Sequence, residues 1–210
     1  METQAQTTSA KPLREPWNKG KLIGQKPPLR AKHVWSIRTR LQMEGRTRDL
    51  AMFNLAIESK LRGCDVVALR VEDVAPSGYV VDRTTVRQKK TARPVRFELT
   101  EQTRQAVDDY IKAAAKKPGE YLFSGRRGHN RGMTTRQYAR LVSSWIATIG
   151  LDPHFFGTHS LRRTKATLIY RRTGNLCAVQ LLLVVRCKHK IPYWRRVCND
   201  AGCARGSALR

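Results

Sequence analysis

Two residues in the C-terminal half of the chain carry the most specific chemical pattern. His159 and Arg162 are three residues apart, so on a helix they share one face. A helix predicted to begin at Thr158 places both in its first turn, where free N–H groups and the positive end of the helix dipole favour an anion. A guanidinium can bind two phosphate oxygens, and an imidazole can donate to a third or move a proton. The pair predicts phosphate chemistry, although a surface histidine among basic residues gives the same pattern.

Two more basic residues could join such a site. Arg62 precedes a glycine and an apolar run, which predicts a short helix with Arg62 at its N-terminus and Asp65 close enough to pair with it. Lys90 lies in the polar segment 88–92 between two β-favouring segments, which places it at a predicted hairpin tip. A lysine there could reach into a DNA groove. Considered singly, each residue also fits a plain surface role, in a capped helix or a solubilising turn.

Residue periodicity predicts the elements that would position these side chains. Thr100 and Thr134 (or its neighbour Thr135) are predicted helix caps, and three glycines, at 45, 150 and 174, are predicted helix ends. The order of elements predicts a mostly α-helical α+β domain with a small antiparallel sheet. Helices are predicted over 31–45, 47–60, 64–68, 100–118, 134–150, 158–172 and 175–183, and strands over 78–81, 84–87 and 94–99.

The charge of the chain indicates a polyanionic partner. Its 210 residues contain 41 Lys+Arg and 16 Asp+Glu, a formal net charge of +25. Nucleic acid is the first expectation, with an anionic membrane surface or an acidic protein as alternatives. No run approaches 18 consecutive apolar residues, so no membrane span is expected. The first ten residues do not resemble a secretory signal, and a cytoplasmic location is the default.

The cysteines give no sign of a metal centre. There are five of them, and no two stand in a CxxC pair. Free thiols are therefore expected, and no structural zinc. The cysteines are at positions 64, 177, 187, 198 and 203.

Taken together, these segments resemble the catalytic domain of the tyrosine recombinase (phage integrase) family. The resemblance extends over residues 32–183, and the ordered set is far more specific than any single motif. It rests on Arg62 leading to Val71–Val74, on Gln88–Thr91 in a hairpin, on Gly157–Thr164, and on Val179–Leu183 downstream.

The resemblance implies a fold, an activity and roles for residues. In the family, a tyrosine hydroxyl attacks a DNA phosphodiester to form a 3′-phosphotyrosyl link, and a 5′-hydroxyl later displaces the tyrosine. Neither a metal nor a cofactor is expected. By similarity, Arg62 and Arg162 would clamp the scissile phosphate, His159 would assist proton movement, and Lys90 would protonate the leaving 5′-oxygen. Double-stranded DNA and further copies of the chain bound to it are the implied partners, in a bacterial cytoplasm.

The C-terminal residues depart from the family pattern. Val184-Val185-Arg186 stands where the family has Gly-His-Thr or a close variant. Counting on by the family's interval reaches Trp194, whereas the nearest tyrosine is Tyr193, one residue short and directly after Pro192. On a helix, one residue rotates a side chain by about 100°. Tyr193 is the candidate nucleophile, and Tyr170, inside a predicted helix, is a poorer one.

The sequence predicts three regions and leaves two functions open. Residues 1–30 form a basic, proline-containing arm, which could be a solvated leader or could contact phosphates. Residues 31–183 form the recombinase-like domain, and residues 184–210 a basic tail that contains cysteines, which a shifted reading frame would explain. The first function is a site-specific recombinase or integrase. The alternative is a catalytically inactive DNA-binding remnant, and an unrelated RNA- or DNA-binding protein has no supporting motif.

Overall fold

A computed structural model of the chain describes residues 25–125, 131–175 and 179. In this part of the chain, a small hairpin lies between two groups of helices, and a 3₁₀ turn at Pro153–Phe155 precedes the last helix. The α+β, mainly α-helical architecture predicted from the sequence is confirmed. The elements are α1 (Ala31–Met43), α2 (Thr47–Ser59), α3 (Gly63–Val66), α4 (Val71–Val74), β1 (Arg83–Arg87), β2 (Pro94–Glu98), α5 (Glu101–Ala113), α6 (Thr135–Thr148) and α7 (Thr158–Thr173).

Helix α2 is the centre of the domain. It packs against α1, α5 and α7, and it is buried on every side from Ala51 to Ser59. Most of these buried residues are apolar, so no face of this part of the helix can be left to water. Its two buried acids, Asp49 and Glu58, are paired: Glu58 accepts hydrogen bonds from the amide and the hydroxyl of Thr100, each at 2.8 Å. This carboxylate fixes the start of α5.

Strands β1 and β2 form the predicted hairpin. They pair antiparallel, with Arg83 opposite Glu98 and Arg87 opposite Pro94. Every second residue is buried, as expected for a two-stranded ribbon with one face on the core. At the tip, the amide of Gln88 donates to the carbonyl of Arg93 and the carbonyl of Gln88 accepts from Ala92. The turn between them contains Lys90, as predicted.

The strand predicted over 78–81 is wrong. The amide of Val80 donates to the carboxylate of Asp108 on α5, and that of Val81 donates to the carbonyl of Val74. With both amides committed elsewhere, no strand can pair here. Val80 instead packs into the core after helix α4, a four-residue element that the sequence did not predict.

Helix ends follow the predicted residues in most places. Thr134 caps α6, since its hydroxyl accepts from the amide of Gln137, and α7 ends at Gly174 with a φ of +64°. Helix α5 differs from prediction, because it ends at Ala113 rather than near Pro118. The chain turns out of α5 through Ala115, at a φ of +47°.

Several predictions fall on residues outside the described part of the chain. They are most of the basic arm (1–24), part of the polar loop (126–130), the short helix after Asn175 apart from Val179, the tail 184–210 with Tyr193, and all the cysteines except Cys64. Within the described residues, the helices are too short and too polar to cross a bilayer.

Candidate active site

The first turn of α7 holds Arg162 against the end of α2. Arg162 is half-buried, and its Nε donates to the backbone carbonyl of Lys60 at 2.9 Å. Lys60 directly follows α2 in the left-handed conformation, with a φ of +55°. This bond joins residues 102 positions apart and fixes the base of the guanidinium. The terminal nitrogens of Arg162 make no hydrogen bond within the described residues that would compete with a ligand.

Lys60 is itself a buried cation. Its side chain lies near Lys165 of α7 and Glu98 of β2. Burial, reinforced by the charge of Lys165 and opposed by Glu98, lowers the pKa of Lys60 to about 8. Nothing in the local sequence marks this lysine as buried, since a lysine after a helix is ordinarily solvated.

Arg62 is tied to the hairpin. It stands immediately before α3, as predicted, and its Nη1 donates to Oε1 of Gln88. The same amide oxygen accepts a hydrogen bond from the hydroxyl of Thr91 at 2.8 Å, and Gln88 is only 7% exposed. The sequence predicted Asp65 as the partner of Arg62, but the hydrogen bond goes to Gln88. An amide acceptor leaves the positive charge of the guanidinium without direct neutralisation.

Asp65 connects α3 to the hairpin tip that carries Lys90. Its side chain is 2% exposed, and Oδ1 accepts from the backbone amide of Lys89 at 2.9 Å and from the thiol of Cys64 at 3.6 Å. Among the described residues, Oδ2 has no hydrogen-bond partner although it is buried. The carboxylate therefore places one negative charge under a cluster of cations and fixes the residue next to Lys90.

Removing this carboxylate should loosen the tip. We expect Asp65→Ala to lower the free energy of unfolding by about 1–3 kcal/mol, because the amide of Lys89 loses a charged acceptor in a part-buried hydrogen bond. Asp65→Asn, which can keep an acceptor at Oδ1, should cost less. Urea unfolding followed by circular dichroism measures both. Asp82→Ala, at an exposed position before β1, serves as the matched control and should change stability by less than about 0.5 kcal/mol. Equal stability of Asp65→Ala and the native chain would show that the hydrogen bond between Asp65 and Lys89 does not stabilise the hairpin tip.

The charges of Arg62, His159 and Arg162 act on one another. Burial lowers the pKa of His159, and the guanidinium groups of Arg163, Arg162 and Arg62 lower it further. Burial also lowers the pKa of Arg162, helped by Arg62 and opposed chiefly by Asp65. His159 is therefore uncharged at neutral pH and able to accept a proton. The two arginines remain cationic, and an anion between them would relieve their repulsion.

The structure brings three predicted residues into one neighbourhood and places the fourth beside it. Arg62 before α3 and His159 and Arg162 on α7 share an electrostatic environment, and Lys90 is on the tip whose adjacent residue is bound by Asp65. Tyr193 lies outside the described residues. Gln88 and Lys60 contact the site although sequence reasoning gave neither a role. No local signal could have shown this, because each partner is distant in sequence.

No arrangement typical of a metal site occurs in the described residues. Within 25–125 and 131–175, no three His, Cys, Asp or Glu side chains are close enough together to hold a metal ion. The polar groups of the site are nearly all donors, which favour an oxyanion. The arrangement can bind a phosphate between two guanidiniums with an uncharged imidazole next to it.

Comparison with known proteins identifies the family. Residues 29–184 match the family described as the phage integrase family. The chain belongs to this family. The resemblance drawn from Arg62, Gln88–Thr91 and Gly157–Thr164 is thus confirmed at the level of the family.

Relatives within the phage integrase family align over the same domain. "Probable integrase/recombinase YoeC" of Bacillus subtilis is 30% identical over 136 residues, which are 65% of this chain and 70% of that protein. "Tyrosine recombinase XerC" of Caldanaerobacter subterraneus is 30% identical over 127 residues, 59% of this chain but only 34% of that protein. The chain therefore spans about a third of the XerC relative.

Solved structures of recombinases share the fold. XerA recombinase superposes with a TM-score of 0.63 at 19% identity, covering 93% of this chain and 71% of XerA. XerH recombinase bound to its difH substrate gives a TM-score of 0.64 at 15% identity, covering 88% of this chain and 56% of XerH. The fold predicted for the catalytic domain is the one found.

Proposed function

We propose that this chain is a site-specific recombinase that cleaves and rejoins double-stranded DNA through a 3′-phosphotyrosyl intermediate. The observation that carries the proposal is the meeting of Arg62, His159 and Arg162 between α3 and α7, where their charges act on one another. These groups suit a phosphodiester, whose two non-bridging oxygens gain negative charge during attack. Membership of the phage integrase family supports the same assignment.

Each residue of the site has its own role in the reaction. The tyrosine oxygen forms a bond to phosphorus and gives up its proton with the help of His159, which is uncharged at neutral pH. The bond from phosphorus to the 5′-oxygen breaks, and Lys90 supplies the proton that this oxygen takes up. Arg62 and Arg162 hold the phosphate throughout. Rejoining is the reverse reaction with a 5′-hydroxyl from another strand, so the covalent link conserves the bond energy.

The proposal also covers domain organisation and partners. Residues 31–183 are the catalytic domain, residues 1–30 a basic arm of which the part before residue 25 would contact the DNA backbone, and residues 184–210 a tail that carries Tyr193. Copies of the chain associate on DNA, as in the lambda integrase dimer, which is described as bound to a core site. The net charge of +25 supports strong, salt-dependent binding to duplex DNA.

Trapping the covalent intermediate tests this function. The chain is incubated with a pool of nicked duplexes of randomised sequence, in which cleavage releases a short strand and so blocks rejoining. We expect a protein–DNA adduct on a denaturing gel, and sequencing of the trapped strands then reveals the site. Tyr193→Phe should abolish the adduct, whereas Tyr170→Phe, an exposed tyrosine on α7, should preserve it.

A catalytically inactive DNA-binding remnant is the second candidate. It is favoured by one observation, that Val184-Val185-Arg186 replaces the family's Gly-His-Thr and that Tyr193 is out of the expected spacing. Duplex retention at moderate salt without any adduct would support the remnant. An adduct that survives Tyr193→Phe and disappears in Tyr170→Phe would assign the nucleophile to α7.

A further inference from the structure

The segment 25–30, here named the strap, lies across the first turn of α7. Nζ of Lys26 donates to the carbonyl of Phe156 at 2.8 Å, just before the helix begins. In the opposite direction, Nη1 of Arg163 donates to the carbonyl of Lys26 at 2.7 Å. Lys26 thus bonds through its side chain to the residue two positions before α7 and through its backbone to Arg163, so its contacts lie on either side of His159 and Arg162, 130 residues or more away in sequence.

A buried contact anchors the other end of the strap. Leu29 is 1% exposed, and its amide donates to Oγ1 of Thr164 at 3.1 Å. Thr164 is fully buried, and its hydroxyl donates in turn to the carbonyl of Ser160 at 2.8 Å. A backbone group of the strap is therefore linked through one hydroxyl to the backbone of the first turn of α7.

The space between strap and helix is closely filled. A Cβ on Gly157 would come within 3.3 Å of Cδ of Lys26, so the lysine stem rests directly on the backbone that leads into α7. The ring of His33 meets that of Phe156 edge to face, with centroids 6.4 Å apart. The entry to α7 is thus contacted on this side by an exposed lysine of the strap and by a half-buried histidine of α1.

We infer that the strap is a positioning element, with Lys26 as its key residue, that fixes the first turn of α7 and so the directions of His159 and Arg162. The inference rests on the proposed function for the roles of those two residues. Lys26 precedes residue 29, where the match to the phage integrase family begins. The contact is therefore outside the region by which the chain was assigned to its family.

The contact also brings Arg163 into the electrostatics of the site. The carbonyl of Lys26 holds one end of this guanidinium, and Arg163 is the largest of the charges that lower the pKa of His159. Loss of the strap would free Arg163 to turn into solvent, where water screens its charge. The imidazole would then titrate closer to its ordinary pKa.

Three variants of the full chain test the strap without DNA. Lys26→Met removes the ammonium but keeps the apolar stem, and Lys26→Arg restores a cationic donor. Lys32→Met removes the same charge from an exposed position on α1 and is the matched control. Amide hydrogen exchange over residues 157–163 and NMR titration of His159 are measured on each.

Lys26→Met keeps the carbonyl that holds Arg163 but removes the bond that fixes the strap to Phe156. We therefore expect exchange in 157–163 to accelerate by about 2–10-fold, the range that one ordinary hydrogen bond gives, and the pKa of His159 to rise because the loosened strap holds Arg163 less firmly. Lys26→Arg should largely restore both values, and Lys32→Met should change neither. Unchanged exchange and titration in Lys26→Met would overturn the inference, as would acceleration spread evenly over all helices. Because neither measurement uses cleavage, the absence of a covalent adduct would count against the proposed function and not against the strap.

Discussion

Arg162→Lys is expected to slow formation of the covalent DNA adduct by about 10²–10³-fold, the usual loss when one preorganised donor to a developing oxyanion is removed. A lysine retains the positive charge, but it has no planar pair of donors for two phosphate oxygens. It also has no Nε to donate to the carbonyl of Lys60, so its ammonium would be less well held. The adduct formed per unit time on the trapped site, at saturating protein, is the measurement.

The control for this prediction comes from the same helix. Arg172, in the last turn of α7, is exposed and far along the helix from His159. Arg172→Lys should cleave at close to the native rate. If Arg162→Lys cleaves as fast as Arg172→Lys, Arg162 does not bind the scissile phosphate, and the roles given to α7 fail.

The second large effect concerns stability, through Trp145. This side chain on α6 is completely buried, and its ring meets that of Phe53 edge to face at 5.6 Å and that of Tyr138 at 6.4 Å. Its Nε1 donates to Asp49 at 3.3 Å. We expect Trp145→Ala to lower the free energy of unfolding by about 3–5 kcal/mol, because it leaves a large cavity in the core. Denaturant unfolding followed by circular dichroism gives the value.

Two variants make the Trp145 prediction specific. Trp35→Ala removes a tryptophan that is 69% exposed on α1, and it should stay within about 0.5 kcal/mol of the native chain. Trp145→Phe keeps a ring in the core and should lose much less than Trp145→Ala. If the loss of stability in Trp145→Ala is as small as that in Trp35→Ala, the core does not depend on α6.

The core around Trp145 also supports the site. Tyr138, which contacts Trp145, lies against Gly63, where an added Cβ would be 3.3 Å from its ring. Gly63 is the residue after Arg62, so the tyrosine ring limits how far α3 can shift. Collapse of the Trp145 cavity would therefore displace Arg62 as well as destabilise the fold.

Long amphipathic helices were predictable from local sequence, whereas short elements were not. α1, α5 and α6 each repeat apolar residues along one face, and threonine or glycine marks several of their ends. Helix α4 has only four residues, and its sequence gives no period. The segment after it resembles a strand until Asp108, which is distant in the chain, takes the amide of Val80. In both segments, contacts with residues distant in the chain determined the local structure.

The candidate site also combines features that were predictable from local sequence with features that were not. The types and spacing of His159 and Arg162, and the turn around Lys90, are local features that the sequence displays directly. The contacts that orient them are not local: Arg62 meets Gln88 across 26 residues, and Arg162 meets Lys60 across 102. One sequence without relatives aligned to it contains no information about such pairs. It could identify the charged groups but not what holds them.

The support of Arg162 by a backbone carbonyl has a consequence for how this site can evolve. The acceptor belongs to the main chain, so the identity of the side chain at position 60 is immaterial to the bond, and only the left-handed turn there is required. As far as this bond is concerned, substitutions at position 60 are constrained by the backbone conformation. Glycine and asparagine, which adopt this turn most readily, could replace the lysine without loosening the arginine.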